Sequence, residues 1–259
     1  ITGDTAAIDY GMGGFNSRQA VMAGASAHSA AQKVRAKALT VAAHMLDVGE
    51  QALEIEGRHV RLKGSDDKKV GLGEIARALA GLPGYYVPGG LDPGLEATER
   101  VIINDMTYAN GTAVVEVEVD PETGHVKLDH VTFAHDCGNV LHPQIVEGQI
   151  IGGMAHGIGN ALYEWMGYDE NAQPVTTTLA EYLLVSATEM PVKTDIVHLT
   201  SPTPLNELGI KGVGESGVIP MAAAVAAAVE DALAPFNVKI TRVPITPPDL
   251  VSLIEKANP

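Results

Sequence analysis

The chain has 259 residues, 46% of them hydrophobic, and a formal net charge of −15. That is enough apolar chain for one large core or two smaller ones, while the acidic balance argues against nucleic acid or an anionic membrane surface as partner. No apolar run reaches the roughly 18 residues of a membrane span, and the single cysteine, Cys137, excludes an internal disulfide framework, excludes an iron–sulfur cluster ligated by this chain alone, and suits a reducing cytoplasm.

In chain order, residues 17–48 predict a long Ala-rich helix, with Val21, Ala25, Val34, Ala38, Val41 and Met45 at helical spacing and Asn16 or Ser17 as its N-cap. The small residues Ala23, Gly24, Ala25, Ser26 and Ala27 imply close packing against another backbone. Residues 53–62 read as a hairpin turning at Gly57, and 72–82 as a brief helix. The Pro/Gly-rich stretch 84–94 is the best boundary in the chain, dividing it into α/β subdomains at 1–90 and 91–259. Residues 113–120 alternate apolar and acidic side chains, turn at Pro121-Glu122-Thr123-Gly124, and return through 125–133 as an antiparallel hairpin with one wet face, where Glu116 and Glu118 lie. A helix peppered with glycine follows at 145–165. Strand-like runs at 175–184 and 195–199 precede an Ala/Val-rich buried helix at 218–233. A strand at 238–243 and a short helix from Pro247-Pro248 end the chain. The class is α+β, with mixed sheets and packed helices.

Gly212-Val213-Gly214-Glu215-Ser216-Gly217 places one carboxylate inside a glycine-rich turn immediately before the 218–233 helix. A helix N-terminus offers free amides and partial positive charge, and glycine lets a ligand approach the backbone closely. A carboxylate held there against a cofactor is a candidate general base. The spacing also spells the dinucleotide fingerprint, but the preceding stretch is a proline-rich loop and the acidic pair Glu230-Asp231 falls inside the helix, so that reading fails. Two further glycine-rich patches, 11–18 and 152–159, each open or lie within a helix. Together the three point to a large phosphorylated cofactor held by backbone amides.

These residues resemble a known family. Gly13-Gly14-Phe15-Asn16-Ser17-Arg18, Val34-Arg35-Ala36-Lys37-Ala38-Leu39, Asp136-Cys137-Gly138-Asn139, the run from Val146 through His156 to Gly159, and Gly212-Val213-Gly214-Glu215-Ser216-Gly217 stand in the order seen in the molybdenum-binding large subunits of the xanthine dehydrogenase, aldehyde oxidase and aerobic carbon monoxide dehydrogenase family. The likeness covers essentially the whole chain and matches the C-terminal part of such a subunit.

The resemblance implies that Glu215 is the base that accepts a proton from the oxygen nucleophile as it attacks an electron-poor carbon. It places Asn16, Ser17, Arg18, Gln19, Val213 and Gly214 against the molybdopterin, probed also by His156, which stands where the family usually has Gln. It further implies molybdenum held by the pterin dithiolene and not by protein side chains, with the cofactor in its cytosine dinucleotide form. Two-iron two-sulfur clusters and FAD are expected on partner chains or domains. The expected partners are a polypeptide bearing the first half of the molybdenum subunit, an iron–sulfur subunit and a flavin subunit, with a small-molecule substrate in the cytoplasm. The alternative function is a non-catalytic structural or assembly subunit whose glycine patches serve only packing. Cys137 reads as a buried turn residue. His125, His130 and His135 recur five apart, which is not strand-face spacing throughout, so no metal is expected there.

Overall fold

The computed structural model describes residues 3–7, 10, 11, 13–82 and 89–257. The chain divides into two compact units, one of Met22–Ile102 and one combining Ile1–Val21 with Ile103–Pro259. Residues 83–88 of the expected 84–94 connection lie outside the described residues.

In the Met22–Ile102 unit, helix α1 (Ala25–Leu46) is followed by strands β1 (Leu53–Glu56), β2 (His59–Leu62) and β3 (Lys69–Gly71) and helix α2 (Leu72–Ala78). The three strands form an antiparallel sheet in the order β1-β2-β3. Ala38, Val41 and Ala42 of α1 are buried with Leu53, Val60, Val70, Ile75 and Leu79. The 53–62 hairpin therefore forms as expected, turning at Gly57, and a third short strand joins it. Helix α2 stops before the expected residue 82. Gly81 takes φ 70°, a conformation in which a helix ends.

The expected N-cap at Asn16 or Ser17 does not form. The chain enters α1 through a π-helical turn, Ala20–Gly24, and Gly24 caps with no side-chain bond. Asn16 and Ser17 instead have φ of 62° and 53°. A capping residue needs the extended region for its oxygen to reach back to the first helical amides. In the left-handed region that reach is lost.

The other unit is built on strands β4 (Asn110–Val119), β5 (Val126–Asp136) and β6 (Lys193–His198), with helices α3 (Pro143–Leu162), α4 (Val218–Ala232) and α5 (Pro247–Ala257). β4 and β5 pair antiparallel, with a bulge where Glu116 faces His130 and Val117 faces Leu128, leaving Asp129 as the extra residue. The bulge switches β5's buried set from Val126 and Leu128 to Val131, Phe133 and His135. β6 pairs parallel to β5 along its far edge. The core joins Leu128, Val131 and Phe133 of β5 to Ile150, Met154 and Ile158 of α3, Met221, Val225 and Val229 of α4, and Leu250 of α5. The spacing of four on α3 and α4 gives each helix one apolar stripe.

The two helices cross on glycine. A methyl group on Gly153 would sit 2.8 Å from the Gly217 Cα and from the Val218 amide nitrogen, and one on Gly157 would overlap the Met221 Cβ. A methyl on Gly217 would overlap the Ile150 carbonyl oxygen. So the glycines of the 152–159 patch that face α4 are consumed by helix packing.

Two expected strands are absent. In 175–184 the Thr178 amide and hydroxyl both bond the Glu181 carboxylate, and Tyr182 N donates to Thr178 O at 2.9 Å. That local turn competes with any ladder. In 238–243 the Ile240 amide is taken by Glu230 Oε2 at 2.9 Å, and Pro244, which has no amide to donate, follows.

Backbone stands against backbone at the helix crossing, so nothing there can give way. Gly217→Ala is expected to lower unfolding free energy by about 3 kcal/mol. Gly148→Ala, on the same α3 with nothing within 4 Å of its methyl, is expected to raise it by about 0.5–1 kcal/mol through helix propensity. Denaturant unfolding of the two variants checks both signs.

Candidate active site

The site begins at the end of β5. Asp136 Oδ1 accepts from the amides of Gly138 at 2.8 Å and Ser201 at 3.1 Å, while its Oδ2 takes the Lys211 ammonium at 3.1 Å. Both partners are nearly enclosed, with side-chain exposures of 11% and 8%. Burial alone would push the Asp136 carboxyl up, but those amides and the lysine outweigh it and hold it below the usual carboxylate range. The Lys211 amide donates to Cys137 O at 2.7 Å, and Gly138 bridges to Ile210. Gly138 has φ 70°, and a methyl there would overlap the Gly209 carbonyl. Only glycine fits this bridge. Asn206 closes the loop by bonding both the amide and the carbonyl of Ile210. Cys137 is buried as expected, and burial pushes its thiol up, which makes it a packing residue and not a nucleophile.

From Lys211 the chain enters the glycine turn. Val213 packs against the core of this unit. Ser216 N donates to Val213 O at 3.1 Å, and the Glu215 carbonyl accepts from Val218 and Ile219 at 3.2 Å each, so Glu215 stands directly before the first turn of α4. A carboxylate at that end of a helix is electrostatically favoured. The Glu215 side chain is exposed, and Ser17 grips it twice. The Ser17 hydroxyl donates to Glu215 Oε2 at 2.9 Å and accepts from the Glu215 amide at 3.0 Å. Gly212 permits the approach, since a methyl there would lie 2.7 Å from Ser17 O. Beside Ser17, Arg18 Nε donates to Gly13 O at 3.3 Å, and its guanidinium lies 4.1 Å from the Phe15 ring centroid, a cation–π contact. Gln19 and Asn16 are exposed.

The structure thus brings Ser17, Gly212, Gly214 and Glu215 together, with Arg18 and Gln19 next in the chain. Val213 anchors the turn through the core. His156 is exposed on α3, directly before Gly157 of the crossing. The Asp136–Lys211 pair carried no local sequence signal, because its members are 75 residues apart.

The three recurrent histidines separate. His130 bonds Asp195 at 2.8 Å and approaches Glu116 at 3.3 Å. His135 is 1% exposed with Nε2 unpartnered; burial first, then the neighbouring His198 and Lys211, holds its imidazolium form off. Among the described residues no group of three or more His, Cys, Asp or Glu is arranged to hold a metal ion. Among them also, no helix is long and apolar enough to cross a membrane.

The α+β frame presents a carboxylate turn beside Asn16 and Ser17, both in the left-handed region. The half-buried Ser17 hydroxyl and Arg18 guanidinium and the exposed Asn16 and Gln19 amides are groups that suit a polar, phosphate-bearing pterin by their chemistry. Residues 1–191 match the model of the molybdopterin cofactor-binding domain. The chain is 38% identical over 258 residues to subunit gamma of the 6-hydroxypseudooxynicotine dehydrogenase complex of Paenarthrobacter nicotinovorans, covering 100% of this chain and 32% of that one. Quinoline 2-oxidoreductase from Pseudomonas putida 86 superimposes with a TM-score of 0.83 at 40% identity, over 95% of this chain and 31% of the other. Reconstituted carbon monoxide dehydrogenase from Oligotropha carboxidovorans gives 0.85 at 33% identity, over 98% and 31%. The chain belongs to the molybdopterin cofactor-binding domains of the molybdenum hydroxylase large subunits. It spans about a third of the length of the relatives it matches.

Removing one member of the buried pair strands the other. Lys211→Met is expected to cost about 3 kcal/mol at neutral pH. Because the folded-state carboxyl of Asp136 is depressed, its contribution is present above the unfolded value near ~3.9 and is lost as pH falls from there through the lower folded value. The difference between wild type and variant should therefore be constant near neutral pH and begin to narrow below about pH 4. Unfolding midpoints measured from pH 7 down to the lowest pH at which both proteins still fold check it.

Proposed function

We propose that this chain is the catalytic-base portion of a molybdenum hydroxylase that oxidises a carbon centre of an aldehyde or N-heterocycle with oxygen derived from water, and that Glu215 is the general base. The observation that carries the reading is the exposed Glu215 carboxylate held by Ser17 in a glycine turn at the start of α4. Ser17, Arg18, Gln19, Asn16, Val213, Gly214 and His156 are the residues assigned to the cofactor, in its cytosine dinucleotide form. When bound, molybdopterin supplies the two-electron redox change at molybdenum. Glu215 takes the proton of the oxygen nucleophile as that oxygen attacks carbon. The net change is RH plus H2O giving ROH, two protons and two electrons, and the electrons leave through two-iron two-sulfur clusters and FAD on partner chains. Partners also include a polypeptide bearing the first half of the molybdenum subunit, an iron–sulfur subunit and a flavin subunit, and the complex works in the cytoplasm.

A purely structural role has one observation in its favour, because Gly153, Gly157 and Gly217 serve the α3–α4 crossing. It leaves without purpose an exposed carboxylate fixed by a residue in the left-handed region. Glu215→Gln in the assembled complex is expected to keep molybdenum near one per complex while lowering turnover 10²–10⁴-fold, roughly the span of general bases. Assays with benzaldehyde, nicotine, quinoline and carbon monoxide against a dye acceptor, with metal analysis alongside, test it. Retention of more than about a tenth of the rate removes Glu215 from the role, and absence of molybdenum from the wild-type complex returns the structural reading.

A further inference from the structure

We infer that Ser17 is the positioning residue of the base: its hydroxyl clamps Glu215 at both ends of the side chain, anchoring Oε2 and leaving Oε1 as the oxygen that receives the proton. This rests on the assignment of Glu215 as base. The geometry fixes the direction of both hydrogen bonds. The Glu215 amide is only a donor and an ionised carboxylate only an acceptor. The hydroxyl at 3.0 Å from the amide nitrogen must therefore accept there, and its one proton must point to Oε2 at 2.9 Å. One hydroxyl so closes a ring through the backbone nitrogen and the carboxylate of the same residue. An exposed glutamate otherwise samples three side-chain torsions. Here both the root and the tip of the side chain are held. Protonation at Oε1 leaves the Ser17 bond intact, so the clamp persists through the proton transfer.

The backbone of Ser17 favours the same assignment. Its φ of 53° is a conformation that glycine and asparagine adopt most readily, and Asn16 beside it, at 62°, is such a residue. Serine has no conformational reason to be there. Its hydroxyl does, and it reaches a partner 198 residues away. Strain of this kind collects where side-chain placement matters. Gly212 lacks the methyl that would collide with Ser17.

The backbone of Ser17 lies among the residues assigned to the cofactor, and the hydroxyl is the part committed to Glu215. A hydroxyl that also held the pterin would cost molybdenum when removed, whereas one acting through Glu215 costs rate alone. Ser17→Gly removes the hydroxyl and relaxes the backbone. In the assembled complex, assayed with benzaldehyde, nicotine, quinoline and carbon monoxide, kcat is expected to fall about 10–100-fold, the scale of a misplaced catalytic group. KM stays within about threefold, the thermal midpoint does not drop, and molybdenum per complex is unchanged. Ser17→Ala, which keeps the strain, shows the same kcat loss if Ser17→Gly fails to assemble. In a Glu215→Gln background, adding Ser17→Gly costs nothing more, because the clamp has no base to place. A kcat within twofold of wild type, a rate loss that parallels molybdenum loss, or a second full loss in the Glu215→Gln background each overturns the inference while leaving the base assignment intact. An active Glu215→Gln enzyme instead overturns the base assignment, and the clamp's role with it.

Discussion

The backbones of α3 and α4 touch at Gly153 and Gly217, and the placement of the site follows from that contact. Two helices can approach this closely only where both lack side chains at the crossing. The contact sets the height at which α4 begins along α3. Glu215 lies two residues before Gly217 and four after Lys211, so it sits between two points that cannot drift. One point is backbone in van der Waals contact with backbone. The other is an ammonium locked to Asp136 at the end of β5. Each fixed point lies on an element of the core in which β5, α3 and α4 meet, or on the loop that joins them. Between them, Gly212 and Gly214 leave room for Ser17 to approach from the other end of the unit's chain.

The two anchors differ in kind. Burying Phe133, Ile150, Met154 and Met221 supplies stabilisation in proportion to apolar area. Burying Asp136 with Lys211 gives little net stability, since desolvation consumes much of the attraction. What the pair provides is register. Asp136 can accept from Gly138, Ser201 and Lys211 at once in only one arrangement of the 201–211 loop, and that loop leads directly into the glycine turn. A greasy contact in its place would tolerate sliding by a residue. A slip of one residue at Lys211 would carry Glu215 away from Ser17.

Much of this was legible in the sequence, and the reasons are local. The helical spacing of residues 25–46, the alternation in 113–119 and the apolar run after Gly217 each dictate an element from within one stretch. The carboxylate turn was legible too, because a Glu among glycines before a helix is unusual chemistry in a short window. What escaped depends on distant partners. The strand patterns at 175–184 and 238–243 were real in composition, but Glu181 and Glu230 took the amides that a ladder would have used. Asn16 and Ser17 look like a helix cap in sequence, and nothing nearby reveals that the Ser17 hydroxyl is committed to Glu215. The parallel pairing of β6 and the Asp129 bulge are likewise tertiary outcomes.

The three glycine-rich patches looked alike as sequence, and the fold gives them separate work. In 152–159 and at Gly217 the missing side chains serve helix contact. In 212–214 they admit Ser17 to the flank of Glu215. In 11–18 the left-handed backbone falls on Gly13 and also on two non-glycine residues, Asn16 and Ser17. The glycines are not interchangeable, because a methyl group would strike different things at each. Where it would strike backbone, at Gly153, Gly212 and Gly217, the glycine fixes where Glu215 sits, whereas at Gly11 and Gly152 it would strike nothing and at Gly214 only ordinary contact with Ser17.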